Sequence, residues 1–439
     1  MTPSHRPTRR SFLQSSAAFA LAPLVLPRFS TSSPLATLDV ACIGVGGQGG
    51  ADLAEVAGGK NVRIVALCDV DRNNLDVAAK AHPGAKTFTD FRKLFDALGK
   101  DIDAVTVSTP DHMHGSIAIA ALQRQKHVYC QKPIAHNLYE CRRMTELAQQ
   151  HRLVTQMGTQ IHAHEAYRTA VATLATGVLG KVQAAHLWVG KSWAGPAAGR
   201  PEHADPVPAS LAWDLWLGVA GERPFVKDIY HPANWRGWID FGSGTLGDMG
   251  CHIFDPVFTA LGLGAPDSVV SRGPQHHAET FAGDEDVLYT FPGTAHTAGA
   301  LPLRWTDGSV RLDATKAQLP DGVQLPGAGS FVVGEHGVMV LPHWSMPTFY
   351  QDGKVLPVKL AVQPAGNHYH EWTDACRGDG KTSTPFTYAG PLTEAVLLGT
   401  IAGRFPGKQL HWDAAKLQFD DPAASALVKR AYRKGWELG

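Results

Sequence analysis

Asp248 and His252 stand four residues apart in Gly247-Asp248-Met249-Gly250-Cys251-His252. On a helix that spacing stacks the carboxylate and the imidazole on one face. A carboxylate beside an imidazole raises its proton affinity, so the pair predicts a proton-accepting role for His252. Gly244, Gly247 and Gly250 weaken such a helix, a cost that suits backbone passing close to a cofactor or sugar. Just upstream, Asn234, Trp235, Arg236 and Trp238 combine flat apolar faces with hydroxyl-binding groups, a pattern suited to sugar rings, and Trp188 and Trp193 could add to it. Tyr230 and His162 complete the candidate substrate-binding set with Asp248 and His252. Packing alone could also account for any single tryptophan.

A third group comes from the first half of the chain. Lys132 follows the strand-like His127-Val128-Tyr129-Cys130 and precedes Pro133, which fixes local geometry. A partly desolvated lysine at a strand end can orient a hydroxyl or relay its proton. Histidine pairs such as His112/His114, His276/His277 and His368/His370 lack a convincing metal-ligand spacing, and no metal is expected.

The elements that must position these groups follow from periodicity. Asp39 to Ile43 reads as a strand running into Gly44-Val45-Gly46-Gly47-Gln48-Gly49 and a helix through Ala57. The pattern assigns Gly44 to a tight turn, Gly46 to close approach of a pyrophosphate and Gly49 to helix-strand packing, with Gly47 and Gln48 between them. The helix N-terminus would then face phosphate. A second strand, Val62 to Leu67, leads to Asp69, whose carboxylate could accept both hydroxyls of a ribose and would repel a 2′-phosphate. NAD is therefore expected; Arg72, able to fold back onto a phosphate, keeps NADP open.

Strand and helix continue to alternate to Met157, predicting a parallel sheet covered on both faces. Ligands in such sheets lie beyond the carboxyl ends of the strands. That rule nominates Thr109, Pro110, Asp111, His112, His114, Gln131, Lys132, Pro133 and Gln160, and Ser108 joins them as a candidate cofactor-binding residue.

The second half reads differently. Strand-like segments at Val182–Val189, Asp267–Ser271, Asp286–Phe291, Ala298–Trp305, Val310–Leu312, Phe331–Leu341 and Thr348–Tyr350 suggest a mixed or antiparallel sheet with one covered face. Gly190 to Pro208 and Leu312 to Gly329 read as long loops, and helical patterns return at Leu392–Ala402 and Ala423–Arg433. The boundaries drawn are residues 1–36 for a signal and linker, 37–160 for a dinucleotide-binding domain and 161–439 for a substrate-binding domain with a helical tail, to which the family resemblance given below adds oligomerisation. The fold class read from this pattern is α/β, a doubly covered parallel sheet followed by a mixed, largely antiparallel one; the same resemblance implies that these are an N-terminal Rossmann fold and a C-terminal α/β domain built on an open sheet.

Forty basic residues balance forty acidic ones, so no net charge draws the chain to nucleic acid or anionic lipid. The balance is uneven along the chain: Arg6, Arg9, Arg10 and Arg28 precede Asp39 with no acidic residue among them. Arg9-Arg10 ahead of the modest apolar stretch Ala17 to Leu26 resembles a twin-arginine export signal. That stretch, broken by Pro23, is too short for a stable membrane anchor. The expected location is periplasmic or otherwise exported and soluble, through the Tat machinery. Six cysteines without a CxxC pair are too few for a disulfide scaffold.

Together, Gly44–Gly49, Val107-Ser108-Thr109-Pro110-Asp111-His112-Met113-His114, Cys130-Gln131-Lys132-Pro133 and Gly247–His252 resemble the glucose–fructose oxidoreductase / inositol dehydrogenase / rhizopine-catabolism (Gfo/Idh/MocA) family, particularly its secreted twin-arginine members. The resemblance runs from Leu38 to Leu438. It implies an NAD(P)-dependent oxidoreductase acting on a carbohydrate-like small molecule, assembled as a homodimer or homotetramer. Lys132, Asp248 and His252 fall on the family's catalytic lysine, aspartate and histidine. By that likeness His252 removes the hydroxyl proton, Lys132 holds the oxygen, and Asp248 orients His252 and binds a neighbouring hydroxyl. Gln131 replaces the glutamate of the family's Glu-Lys-Pro motif, depriving the lysine of a charged neighbour. Two other readings stand beside this one: an NAD-dependent glycosidase or lyase that oxidises the sugar transiently, and a carbohydrate-binding protein with vestigial dinucleotide binding.

Overall fold

A computed structural model describes residues 37–438; the export signal read from residues 1–36 lies outside them. The first domain runs β1 (Leu38–Ile43), α1 (Gln48–Ala57), β2 (Val62–Cys68), α2 (Arg72–Ala81), β3 (Lys86–Phe88), α3 (Phe91–Leu98), β4 (Ala104–Val107), α4 (Asp111–Gln123), β5 (His127–Gln131), α5 (Leu138–His151) and β6 (Thr155–Gly158). The strands lie in the order β3-β2-β1-β4-β5-β6, and every pairing is parallel. Helices cover both faces, so β4 is buried at all four positions and needs no polar alternation. Asp71, Asp90 and Asn137 cap α2, α3 and α5 with their side chains. The order reverses between β1 and β4, and that reversal opens a crevice at their carboxyl ends.

The second domain contains α6 (Glu165–Leu174), β7 (Val182–Val189), α7 (Trp213–Leu217), α8 (Gly244–Leu261), β8 (Ser268–Ser271), β9 (Asp286–Phe291), β10 (Leu301–Asp307), β11 (Ala328–Gly334), β12 (Gly337–Pro342), β13 (Thr348–Gln351), β14 (Lys354–Val355), α9 (His368–Cys376), α10 (Phe386–Ala402), β15 (Leu410–Asp413), β16 (Gln418–Phe419) and α11 (Pro422–Ser425). Its ten strands are ordered β14-β13-β12-β11-β7-β10-β9-β8-β15-β16. Only β7 and β10 pair in parallel; the other neighbours are antiparallel. Helices α8 and α10 lie against the sheet, and α10 also packs on α5, joining the two domains. Trp372 and Cys376 of α9 enter the apolar cluster around Val40, Leu53 and Leu67. The second half of the chain thus completes the core of the first.

Three expectations are corrected here. Phe331–Leu341 is not one strand but the hairpin β11–β12, which turns at Glu335-His336 with Gly337 at φ 129°. Val310–Leu312 is not a strand: Gly308, at φ 61°, opens a turn closed by Val310 N–H to the Asp307 carbonyl. Ala423–Arg433 is helical only up to Ser425. Beyond it the backbone bonds to other segments, with Tyr139 N–H donating to the Val428 carbonyl and Arg433 N–H to that of Val219. The tail then places Trp436 against Phe91 and under the Arg92 guanidinium.

Candidate active site

A cleft of about 680 Å³ opens at the β1/β4 reversal and is walled by both domains. Its floor is the glycine turn. Gly44 holds φ 79°, and a Cβ there would lie 2.6 Å from the Ser108 carbonyl oxygen. A Cβ on Gly49 would stand 2.1 Å from the Gly44 carbonyl oxygen, and one on Gly46 would stand 2.3 Å from the Asn74 amide. Gly47, at φ 53°, precedes α1 as an N-cap without a capping side chain. The chain therefore leaves a side-chain-free cradle before an open helix N-terminus, which fits a pyrophosphate.

Gly44, Gly46, Gly47, Gln48, Asp69, Ser108, Thr109, Pro110, His114, Gln131, Lys132 and Gln160 all line this cleft, as does Asp111. Gly49 sits just below, in helix-strand contact. Asp69 accepts the N–H of Val45 and of Asp71, each at 2.9 Å, and burial pushes its carboxyl up despite those bonds. Two expected cofactor residues lie elsewhere. Arg72 is exposed outside the cleft lining, its N–H donating to the Ser210 carbonyl. His112 is fully buried behind the wall, with Nε2 at 3.0 Å from the Trp216 carbonyl and its ring against Trp216 and Phe241.

At the other end of the cleft, β5 delivers Lys132 and α8 delivers Asp248 and His252. Lys132 Nζ donates to Asp248 Oδ1 at 2.7 Å and to the Asp248 carbonyl at 2.8 Å. Asp248 also accepts from Arg236 Nε at 3.2 Å, Lys191 Nζ at 3.1 Å and Trp193 Nε1 at 2.7 Å. Burial alone would lift this carboxyl, but Lys132, Lys191 and Arg236 outweigh it and hold Asp248 far below the usual carboxylate range.

That network corrects the expected Asp248–His252 partnership. Asp248 spends its acceptor positions on cations and an indole, and His252 Nδ1 instead lies 3.2 Å from Thr159 Oγ1. Burial, followed by the nearby Lys132 charge, pushes His252 well below its ordinary value, and the raising effect of Asp248 is outweighed. Desolvation beside a cation thus favours the neutral imidazole. The glycines of α8 also serve packing: Cβ atoms on Gly250 and Gly247 would meet Val396 of α10 and Ser243.

Of the remaining substrate candidates, Trp235 and Arg236 line the cleft, with the guanidinium 4.3 Å from the indole centroid. Trp193 lines it too, whereas Trp188 donates to the Pro326 carbonyl in a separate cluster. Tyr230 and Trp238 are buried in an aromatic core with Trp213, Trp216 and Phe241. Asn234 donates to the Asp228 carbonyl outside the cleft lining. His162 likewise lies off the lining and pairs with Asp255, both carboxylate oxygens 2.9 Å from Nδ1. Burial opposes the charged form of His162, but Asp255 more than offsets it and the pKa is raised.

Sequence reasoning missed Lys191, the first residue but one after β7, where the strand-end rule could have found it. It also missed Asp52 of α1, for which no motif signals. Gln131 Nε2 donates to Asp52 Oδ2 at 2.8 Å and to Oδ1 at 3.1 Å. The carboxylate absent from position 131 is therefore present one hydrogen bond behind it.

Comparison with known proteins bears on the whole arrangement. Residues 38–159 match the oxidoreductase family described as the NAD-binding Rossmann fold, Gfo/Idh/MocA, and residues 173–296 match that family's C-terminal alpha/beta domain. The chain belongs to the Gfo/Idh/MocA oxidoreductase family. Among curated relatives, a glycosyl hydrolase family 109 protein of Solibacter usitatus is 37% identical over 118 residues, covering 25% of this chain and 27% of the relative. A levoglucosan dehydrogenase of Pseudarthrobacter phenanthrenivorans is 25% identical over 250 residues, covering 54% and 55%. The chain thus spans between about a quarter and a half of these relatives' lengths. The WlbA dehydrogenase of Bordetella pertussis, solved with NADH and UDP-GlcNAcA, superposes with a TM-score of 0.61 at 17% identity, covering 86% of this chain and 99% of that one. This likeness shows the Gfo/Idh/MocA fold, and the glycine cradle fits the family's NAD.

Proposed function

We propose that this protein transfers hydride between a hydroxyl-bearing carbon of a sugar or sugar derivative and tightly held NAD. The observation that carries the reading is the convergence of Lys132, Asp248 and His252 in the same cleft as the glycine cradle. When bound, the dinucleotide supplies the hydride acceptor. His252 takes the hydroxyl proton while neutral, and Lys132 holds the same oxygen and steadies the charge that develops on it. Asp248 anchors Lys132 rather than His252, and Arg236, Trp235 and Trp193 frame the sugar. Asp69 at the end of β2, with Arg72 turned away, favours NAD over NADP.

A second reading, glycoside cleavage or elimination through transient oxidation with internal recycling of NAD, is favoured by the likeness to a glycosyl hydrolase family 109 protein. One experiment separates the two: product analysis of a sugar and glycoside panel mixed with the purified protein and no added cofactor. Oxidised sugar in amounts limited by bound NAD supports the oxidoreductase. Many turnovers of glycoside cleavage support the alternative, and no reaction with any member removes both.

The exported location belongs to this proposal as well. Among the described residues no helix is long and apolar enough to cross a membrane, and Arg9-Arg10 supports transport of the folded protein with NAD already loaded. Replacing Arg9 and Arg10 by lysine leaves precursor inside the cell on this account; unchanged export contradicts it. The ten-stranded sheet supports assembly as a homodimer or homotetramer, which sedimentation of the purified protein tests.

A further inference from the structure

Asp52 is the fifth residue of α1, and its side chain is fully buried. Every hydrogen bond it accepts comes from an uncharged group. Ser108 Oγ donates to Oδ2 at 2.7 Å, and Gln48 Nε2 and Tyr369 Oη each donate to Oδ1 at 2.9 Å, beside the two bonds from Gln131. It takes part in none of the ion pairs found among the described residues. A buried carboxylate without a cation is costly, and such groups are normally paired. The N-terminal dipole of α1 and four neutral partners supply partial charges only.

Three of those partners, Gln48, Ser108 and Gln131, line the cleft. Asp52 therefore stands one hydrogen bond behind the wall of the dinucleotide site. An oxidised nicotinamide carries a formal positive charge that the reduced ring lacks. We propose that Asp52 is the countercharge for the oxidised dinucleotide, so that the site holds NAD⁺ more tightly than NADH and its resident cofactor rests in the hydride-accepting form. The inference rests on the NAD-dependent reading above. It gives the Asp52–Gln131 contact a purpose: the charge stays one hydrogen bond behind the cleft wall, while an amide, rather than a second carboxylate, faces the cleft beside Lys132. Asp52 touches neither substrate nor reacting atoms in this scheme and acts through the field it sets up.

The test is the midpoint potential of the dinucleotide in the loaded protein, read by equilibration with redox dyes. Asp52→Asn keeps the shape and removes the charge. It should shift the NAD⁺-to-NADH affinity ratio toward NADH by about tenfold or more, an upward shift of about 30 mV or more for a two-electron couple. Tyr369→Phe removes one hydrogen bond and keeps the charge, and should leave the potential where it was. Where Asp52→Asn does not accumulate folded, Asp52→Ser gives the same comparison. An unchanged potential in the charge-free variant, or an equal shift in Tyr369→Phe, overturns the inference while leaving NAD binding intact. If the unmutated protein binds neither NAD⁺ nor NADH, the cofactor reading itself is what fails.

Discussion

Lys132 Nζ lies 2.7 Å from Asp248 Oδ1 and 2.8 Å from the Asp248 carbonyl oxygen. One ammonium thereby ties the end of a Rossmann strand to the second turn of a helix in the other domain. Both side chains are largely buried, at 15% and 10% exposure. Removing the carboxylate strands Lys132 among the remaining cations. Asp248→Asn should cost about 3 kcal/mol of stability and about 10²-fold in hydride transfer, with NAD still bound. Denaturant unfolding beside single-turnover kinetics checks both, and a variant that keeps normal stability and turnover contradicts the anchoring role.

His252 works as a proton acceptor only when neutral. Burial and the Lys132 charge push it well below its ordinary value, so it should remain competent where a free histidine is protonated. The acid limb of kcat/KM should fall well below pH 6.5, and Lys132→Met should move that limb upward. A limb that stays put in Lys132→Met speaks against this electrostatic account.

Glu285 and Asp307 form a buried acidic pair beside His276. Burial pushes Glu285 up to about 7 and, with Glu285 adding to it, Asp307 up to about 9, while His276 falls to about 4. The 2.9 Å Glu285–His276 contact is therefore a hydrogen bond between neutral groups at mildly acidic pH, between about 4 and about 7, and Glu285 ionises as the pH rises past that range. A carboxyl raised in the folded state binds more protons there than in the unfolded chain, so stability falls as pH rises from about 4.5 through about 7. Glu285→Gln should remove about 1–3 kcal/mol of that loss. Unfolding measured at pH 5 and pH 8 should show a smaller decline in the variant; an equal decline would place the pH dependence elsewhere.

The parallel sheet and the cradle were legible because their signals are local. The glycines, the strand-end carboxylate Asp69 and the lysine before Pro133 each lie beside the element that places them. Lys132, Asp248 and His252 were legible as residues, but their wiring was not. Helical spacing brings Asp248 and His252 onto one face, yet the rotamers follow charges from β5, the loop after β7 and the turn before α8. Asp52 was invisible for the same reason, since its partners come from positions 48, 108, 131 and 369. Tyr230 and His112 misled because a buried aromatic core and a cleft wall favour the same residue types. The broken helix after Ser425 failed because long-range backbone bonds outbid helical periodicity.

The most direct test of the account is the single-turnover absorbance change at the reduced nicotinamide band, on an accepted sugar, with bound NAD quantified for each variant. His252→Ala and Lys132→Ala should keep their dinucleotide and slow its reduction by about 10²–10⁴-fold. Gly46→Val, which drives a side chain toward Asn74 where even a Cβ would stand 2.3 Å from the amide, should lose the dinucleotide itself. Reduction at the unmutated rate in both His252→Ala and Lys132→Ala would contradict the assignment of chemistry to this cleft.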